Sequence, residues 1–173
     1  ANPATTAAPG NKLRYTLRFR TTDQALSNFR IIDDLDALNL DAFFAPGTLA
    51  LVTYPAGADI SGTSGTGGSK GSGLIDIRNL NVPAGGEVVI QFDITLKSPL
   101  ANGTIVSNQS TLRLANGTPF AVSDNPNVNG PAGAAVSGDE DPTRVTIVAT
   151  TTAPAFRVEK ISTDMTDDPK VLL

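Results

Sequence analysis

The chain has 173 residues, an apolar fraction of 40%, a charged fraction of 17% and a formal net charge of −4, and it contains neither cysteine nor histidine. This length and apolar fraction are enough for one sizeable core, whereas the two missing residue types exclude disulfides, thiol nucleophiles, histidine-based triads and the usual zinc ligand sets. The negative charge without a basic cluster argues against nucleic-acid binding, and no apolar run is long enough for a membrane-spanning helix.

Alternating apolar and polar residues predict β-strands along most of the chain. In the clearest example Leu13, Tyr15, Leu17 and Phe19 share one face, while polar and basic residues occupy the other. In chain order, strands are expected within residues 11–20, 28–36, 48–55, 73–80, 87–97, 104–114, 143–151 and 156–160. Gly, Pro and Asn-Gly turn signals separate them, so about eight strands predict an all-β, immunoglobulin-like β-sandwich.

The last expected strand carries a lysine on its apolar face. Phe156, Val158 and Lys160 share one parity, and residues two apart lie on the same face of a strand. A lysine among core-facing positions needs either a path to solvent or buried partners. This segment therefore raises the question of which strand it pairs with.

Several segments of the chain, taken together, resemble a known repeat. They are PGNKLRYTLRF, SNFRIIDDL, VPAGGEVVIQFDITL, NGTIVSNQSTL and the pair SDNP and DEDPTRVTI, in this order. In these segments the chain is similar to the conserved-repeat domain of large bacterial and archaeal surface proteins, known as domain of unknown function eleven. The resemblance implies an immunoglobulin-like sandwich located outside the cell, at the cell surface.

Members of that family usually begin with a lysine-bearing strand ahead of the Pro-Gly pair, and here the best match to that strand is FRVEKISTD near the C-terminus. We therefore expect residues 1–151 to form a sandwich domain that lacks its first strand. Residues 152–173 are expected to form a linker and a donor-type strand that supplies it. Two departures are a long Gly/Ser-rich segment at 61–73, which predicts a flexible loop, and Asp36, where the family often has proline.

Three predicted strands each place one polar residue among core-facing positions: Asp33, Asn108 and Lys160. These are the residue types that form a spontaneous Lys–Asn isopeptide bond, as in many pilin and adhesin sandwiches. Burial lowers the pKa of a lysine and raises that of an aspartate. A neutral amine can then attack the carboxamide of Asn108, while a protonated Asp33, the isopeptide-promoting acid, donates to the carboxamide oxygen. Lys160 and Asn108 are then the cross-linked pair.

Each of these residues also has a structural interpretation. Asp33 is able to cap a turn, Asn108 can be a satisfied core amide or be turned outward by a bulge, and Lys160 can extend to solvent at a strand end. Asp34 is the alternative acid. The other lysines considered, Lys12, Lys70 and Lys97, fall at strand ends or in the Gly/Ser-rich segment.

A sandwich without its first strand exposes a sheet edge, and two arrangements cover it. The C-terminal strand either folds back onto its own domain or completes a neighbouring copy by strand donation. Donation is a head-to-tail contact, which produces open filaments when the rotation does not close. The sequence therefore predicts a structural subunit or repeat of an extracellular filament or stalk, whose partners are further copies of itself.

An acidic loop near the end of the domain offers oxygen ligands of the kind that calcium prefers. The residues concerned are Asp124, Asp139, Glu140 and Asp141. Their spacing is not that of an EF-hand, and a solvated polar loop is the alternative. No other cofactor is expected.

Two other classes of function compete with the structural one. An adhesin-type module that recognises a glycan or protein partner is the main alternative, although only 5% of the residues are aromatic, which leaves little for sugar stacking. An enzyme without histidine or cysteine would need paired carboxylates or a metal. We expect no enzymatic turnover, only a single autocatalytic bond-forming event.

Overall fold

The computed structural model describes residues 4–131 and 138–150. Within these ranges the chain forms ten β-strands and no helix, which confirms the predicted all-β character. The strands are β1 Thr6–Ala7, β2 Lys12–Arg20, β3 Leu26–Asp34, β4 Ala50–Thr53, β5 Leu74–Val82, β6 Glu87–Thr95, β7 Ile105–Asn108, β8 Thr111–Arg113, β9 Pro119–Val122 and β10 Thr143–Ile147.

The strands form three sheets around one hydrophobic core, an arrangement consistent with a β-sandwich. One sheet has the order β2-β6-β4, a second β5-β3-β8-β9, and a third β1-β10-β7. The β2–β6 pair is antiparallel over nine residues without a break, from Lys12 opposite Thr95 to Arg20 opposite Glu87. In the third sheet, β1 runs parallel to β10 and pairs only with Thr146 and Ile147.

The alternation in the sequence sets which face of each strand is buried. On β6 the inward side chains Val88, Ile90, Phe92 and Ile94 are buried, as their spacing predicts. On β2 the inward residues pack against the same core, while the arginines face solvent and pair with Asp93 and Glu87. Transfer of this apolar surface from water into the core is the main force that holds the sheets together.

The structure differs from the expected strand list in three places. The segment expected as one strand over 104–114 divides into β7 and β8, which pair with β10 and β3 respectively. Two short strands, β1 and β9, are additional, because two to four residues are too few to show a period. The inward parity of the divided segment holds nevertheless, because Val106, Asn108, Ser110 and Leu112 are all buried.

The Gly/Ser-rich segment 61–73 is hydrogen-bonded to the strands beside it, in contrast to the flexible loop expected from its composition. Ser64 bridges to Leu74, and the backbone N–H of Ser69 donates to the side chain of Asp34 across 2.8 Å. The ammonium of Lys70 donates to the backbone carbonyls of Asp36 and Asn39, at 2.7 and 2.6 Å. The carboxylate of Asp34 at the end of β3 and the backbone carbonyls of the loop that follows thus hold a segment whose own side chains are small.

The predicted donor strand with Phe156, Val158 and Lys160 lies outside the described residues, as does the whole segment 152–173. No helix in the ranges that the structure describes is long and apolar enough to cross a membrane.

Candidate functional site

The site is centred on two buried polar side chains from different sheets. Asp33 is the eighth residue of β3 and shares the inward face with Phe29 and Ile31; it is 1% exposed. Asn108 ends β7, where it pairs with Thr143 of β10, and it is 4% exposed. Neither the turn cap considered for Asp33 nor the outward bulge considered for Asn108 occurs.

The two side chains are in direct contact. Nδ2 of Asn108 donates to Oδ2 of Asp33 across 2.9 Å, although the residues are 75 positions apart in sequence. The strand alternation predicted that both would face inward, and the structure adds that they meet. The carboxyl group contacts the nitrogen of the carboxamide, whereas the sequence interpretation had it donate to the carboxamide oxygen.

Each of the two side chains has a second oxygen atom with no partner. Oδ1 of Asp33 and Oδ1 of Asn108 are both buried and accept no hydrogen bond from any described residue. A buried acceptor without a donor is costly, and such atoms in folded proteins usually mark an unseen partner or a reactive site. The Asp33–Asn108 pair therefore has two buried oxygen atoms that receive no hydrogen bond from the described residues.

Burial also changes the acidity of the carboxyl group. Desolvation raises the pKa of Asp33 from 3.8 to about 7, although the hydrogen bond from Asn108 opposes this shift. Asp33 is thus held largely protonated in mildly acidic solution, in the form that can donate a proton. A strongly raised pKa makes a buried carboxyl group a candidate for a functional site.

Asp34, the alternative acid, belongs to a different environment. It follows Asp33 on β3, so its side chain lies on the opposite face. There its Oδ2 accepts the backbone N–H of Ser69, and its Oδ1 is buried without a hydrogen-bond partner in the described part of the chain. Asp34 anchors the Gly/Ser-rich segment and does not contact Asn108.

Nothing in the sequence identifies Tyr15 as a residue of this centre. Its hydroxyl oxygen is buried and has no hydrogen-bond partner in the ranges described. The ring stacks on Phe92 with centroids 5.2 Å apart and meets the edge of Phe44 at 6.3 Å. Burial and the nearby charges of Asp33 and Asp36 raise the pKa of Tyr15, so the hydroxyl remains a donor. The alternation of residues predicts that Tyr15 faces inward, but it does not predict which groups its hydroxyl faces.

The three lysines in the described ranges do not supply the missing donors. Lys70 is bound to the carbonyls of Asp36 and Asn39, Lys12 is exposed at the start of β2, and Lys97 is half-buried after β6. None of them hydrogen-bonds to Asp33 or Asn108, whose Oδ1 atoms lack partners. Lys160, the predicted cross-linking residue, lies outside the described residues.

The acidic loop shows local hydrogen bonds. Oδ1 of Asp124 accepts the backbone N–H of Asp141, and Oδ1 of Asp139 accepts from Asn129, both at 3.0 Å, while the backbone carbonyl of Glu140 accepts from Gln109 at 3.2 Å. Within the described ranges no three acidic side chains converge in a way that would hold a metal ion. Calcium binding by Asp124, Asp139, Glu140 and Asp141 stays a prediction.

Comparison with known proteins adds no family assignment. No protein-family model matches the chain, and no curated protein matches it significantly. The resemblance to the surface-repeat domain therefore stays a prediction that rests on the quoted segments, and the contact between Asp33 and Asn108 is the observation on which a function has to be argued.

Proposed function

We propose that the protein is a structural subunit or repeat of an extracellular surface filament or stalk, with an immunoglobulin-like sandwich that is cross-linked by a self-formed Lys–Asn isopeptide bond. The observation that carries the proposal is the buried Asp33–Asn108 pair, with its raised acid pKa and its two unpartnered oxygen atoms. A core amide that served packing alone would have its acceptors satisfied. An incoming lysine brings a donor for the carboxyl group of Asp33.

The bond-forming step needs no cofactor. The neutral amine of a lysine attacks Cγ of Asn108, so that a bond forms between Nζ and Cγ, and the bond between Cγ and Nδ2 breaks. Nδ2 leaves as ammonia after it takes the proton of Asp33, and the amine returns a proton to the carboxylate. Because Oδ2 of Asp33 already lies 2.9 Å from the leaving nitrogen, the acid is in place for this transfer.

Lys160 is the proposed nucleophile. The described lysines make no contact with the pair, and Lys160 is the lysine that the strand pattern places on an apolar face. An incoming strand has an edge to bind beside the pair. Thr143 to Val145 of β10 pair with β7 on one side. No described strand pairs with their other side, because β1 pairs with Thr146 and Ile147 and does not extend to Val145.

That edge is well placed for a lysine to reach Asn108. Thr143 lies directly opposite Asn108 in the β10–β7 register. A strand added outside β10 would be two strand spacings from β7, or about 10 Å. A long extended side chain can span most of that distance across the small Thr143. Strand addition supplies main-chain hydrogen bonds, and the lysine then makes the contact covalent.

Head-to-tail donation distinguishes a filament from a closed domain. If Lys160 of one copy reacts with Asn108 of the next, each contact is heterologous and the assembly is an open polymer. Two full-length variants separate the halves of the reaction: Lys160→Ala retains the acceptor pair but lacks the nucleophile, and Asn108→Ala retains the nucleophile but lacks the acceptor. Lys170→Ala is the matched control, because it removes the other lysine of the same segment.

On a denaturing gel after boiling, we expect a ladder for the wild type and for Lys170→Ala, and monomer for each of the other two variants alone. A mixture of Lys160→Ala and Asn108→Ala should give one covalent dimer, lighter than the two chains by one ammonia. Peptide mapping must locate the link, because succinimide formation at an Asn-Gly turn also releases ammonia. A wild-type monomer band without loss of ammonia would overturn the proposed isopeptide bond. A Lys160–Asn108 link within a monomer would overturn the proposed covalent polymer.

A further inference from the structure

Tyr15 carries the one buried hydroxyl group that is left without a partner in the described part of the chain. Its ring is held on two sides, by the stack on Phe92 and the edge of Phe44, so the hydroxyl is fixed in position. The residue lies in the middle of β2, between the inward residues Leu13 and Leu17. A buried donor held rigidly without an acceptor is an unusual feature in a folded protein.

Asp33 and Asp36 are the two carboxyl groups whose charges act on this hydroxyl. Asp36 is already saturated, since its carboxylate accepts from Asn39, from the backbone N–H groups of Phe43 and Phe44, and from Ser72. Asp33 and Asn108 each have one Oδ1 without a donor. The Tyr15 ring meets Phe44, whose backbone N–H donates to Asp36. Asn39 donates to Asp36 and accepts the backbone N–H of Ser107, the residue before Asn108. A continuous series of contacts therefore connects Tyr15 with the end of β7 that carries Asn108.

No other side chain competes for this role. The only other buried donor without a partner in the ranges described is Nε of Arg113. Arg113 follows the buried Leu112 on β8, so it lies on the opposite face of the strand, away from the core. Tyr15 is thus the inward donor that matches the inward acceptors.

We propose that the hydroxyl of Tyr15 donates a hydrogen bond to Oδ1 of Asn108 during attack by the lysine, and so stabilises the negative charge that develops on this oxygen. The inference rests on the proposed function and adds to it by giving Asp33 and Tyr15 different roles in the reaction. Asp33 faces the leaving nitrogen Nδ2, and Tyr15 serves the oxygen. Preorganised donors aimed at a developing oxyanion in a dry site are a large contribution to acyl-transfer rates.

The hydroxyl donates without transferring its proton. Burial and the charges of Asp33 and Asp36 raise the pKa of Tyr15 above its ordinary value, which keeps the phenol neutral in neutral and mildly acidic solution. Proton transfer to the leaving ammonia is therefore left to Asp33. Removal of the hydroxyl should slow the reaction without changing the identity of the product.

The test is the Tyr15→Phe change in the Lys160→Ala acceptor chain, with the Asn108→Ala chain as lysine donor. The rate of covalent dimer formation is followed by intact mass. Tyr54→Phe is the matched control, because Tyr54 is the only other tyrosine and is 42% exposed. We expect Tyr15→Phe to react about 100-fold more slowly than the acceptor chain, and Tyr54→Phe to react at an unchanged rate.

Melting temperature separates an effect on reactivity from an effect on folding. Because the hydroxyl has no partner among the described residues, Tyr15→Phe should melt at or above the temperature of the acceptor chain. An equal rate in the two chains would overturn the role of Tyr15 alone. A lower melting temperature together with a slower reaction would show a structural hydroxyl and overturn it as well. Absence of any bond in the wild type would overturn the proposed function together with this inference.

Discussion

Nδ2 of Asn39 donates to Oδ1 of Asp36 across 2.7 Å, which gives the domain a second buried aspartate–asparagine pair beside that of Asp33 and Asn108. The two pairs have opposite surroundings. Asp36 accepts hydrogen bonds from four different residues. Among the described residues Asp33 accepts only from Asn108, and its Oδ1 has no partner. The first pair holds a loop in place, and the second is the pair for which we propose a reaction.

The first prediction concerns pH and Asp33. The pKa of Asp33 is about 7 in the folded protein against 3.8 ordinarily, so the folded state binds more protons between these values. Its contribution to the free energy of unfolding is complete below about pH 4 and is lost as the pH rises through about 7. Over that interval the loss should approach about 4 kcal/mol, at about 1.36 kcal/mol per pKa unit.

Urea unfolding at several pH values, in the Lys160→Ala chain that cannot form the proposed cross-link, measures this loss. Asp33→Asn in the same chain should lack this part of the pH dependence between pH 4 and 7, because asparagine does not titrate. The contributions of the other carboxylates cancel in the comparison. Identical slopes in the two chains would contradict the raised pKa of Asp33.

The second prediction concerns Asp36, which satisfies donors of the 36–44 loop and of Ser72. Asp36→Ala leaves several buried donors without an acceptor, and we expect a loss of at least about 3 kcal/mol in the free energy of unfolding. Asp41→Ala, at an exposed position of the same loop, should change it by less than about 0.5 kcal/mol. Denaturant titration of both variants checks the difference, and equal losses would contradict the role given to Asp36.

The third prediction concerns the ammonium of Lys70, which donates to the carbonyls of Asp36 and Asn39. Lys70→Met retains most of the aliphatic stem but loses these bonds, and should cost about 1–2 kcal/mol. Lys12→Met, at an exposed strand end, should be near neutral. Limited proteolysis should cut the 61–73 segment faster in Lys70→Met alone, and equal cutting of the two variants would argue against Lys70 as its anchor.

The fourth prediction concerns Gly62, which packs against an ion-paired carboxylate. A Cβ atom at this position would overlap Oδ2 and lie 2.6 Å from Cγ of Asp76. Asp76 is held by Arg30 and Arg78, with each ion pair at 2.6 Å. Gly62→Ala should therefore displace this carboxylate and cost about 1–3 kcal/mol. The exposed neighbour change Ser61→Ala is the control in thermal melts, and equal melting temperatures would refute the steric argument.

The alternation of residues was sufficient to predict the buried faces of β2, β3 and β6, because a half-buried strand has a strict period of two. The same period placed Asp33 and Asn108 inward, since each shares its parity with apolar neighbours. The period alone could not predict that the two side chains meet, because pairing across sheets depends on the order of strands in space, and only the isopeptide hypothesis brought them together. The parity of a residue determines which face of its strand it lies on, but not which residues of other strands it contacts.

The features that the sequence did not predict are local or short. β9 follows an Asn-Gly turn and has only four residues, too few to show a period. The role of Asp36 depends on backbone N–H groups seven and eight residues further along the chain, which composition does not reveal. The Gly/Ser-rich segment appeared flexible because its anchors, Asp34 and Asp36, lie on another part of the chain.

Tyr15, Asp33 and Asn108 belong to three different sheets, on β2, β3 and β7. No single hairpin contains two of them, so a partly folded chain has none of the proposed chemistry. A nascent or misfolded copy would remain unlinked however close its lysines come to an asparagine. The covalent bond would then form only in copies that had folded completely. An assembly made in this way would contain only fully folded subunits.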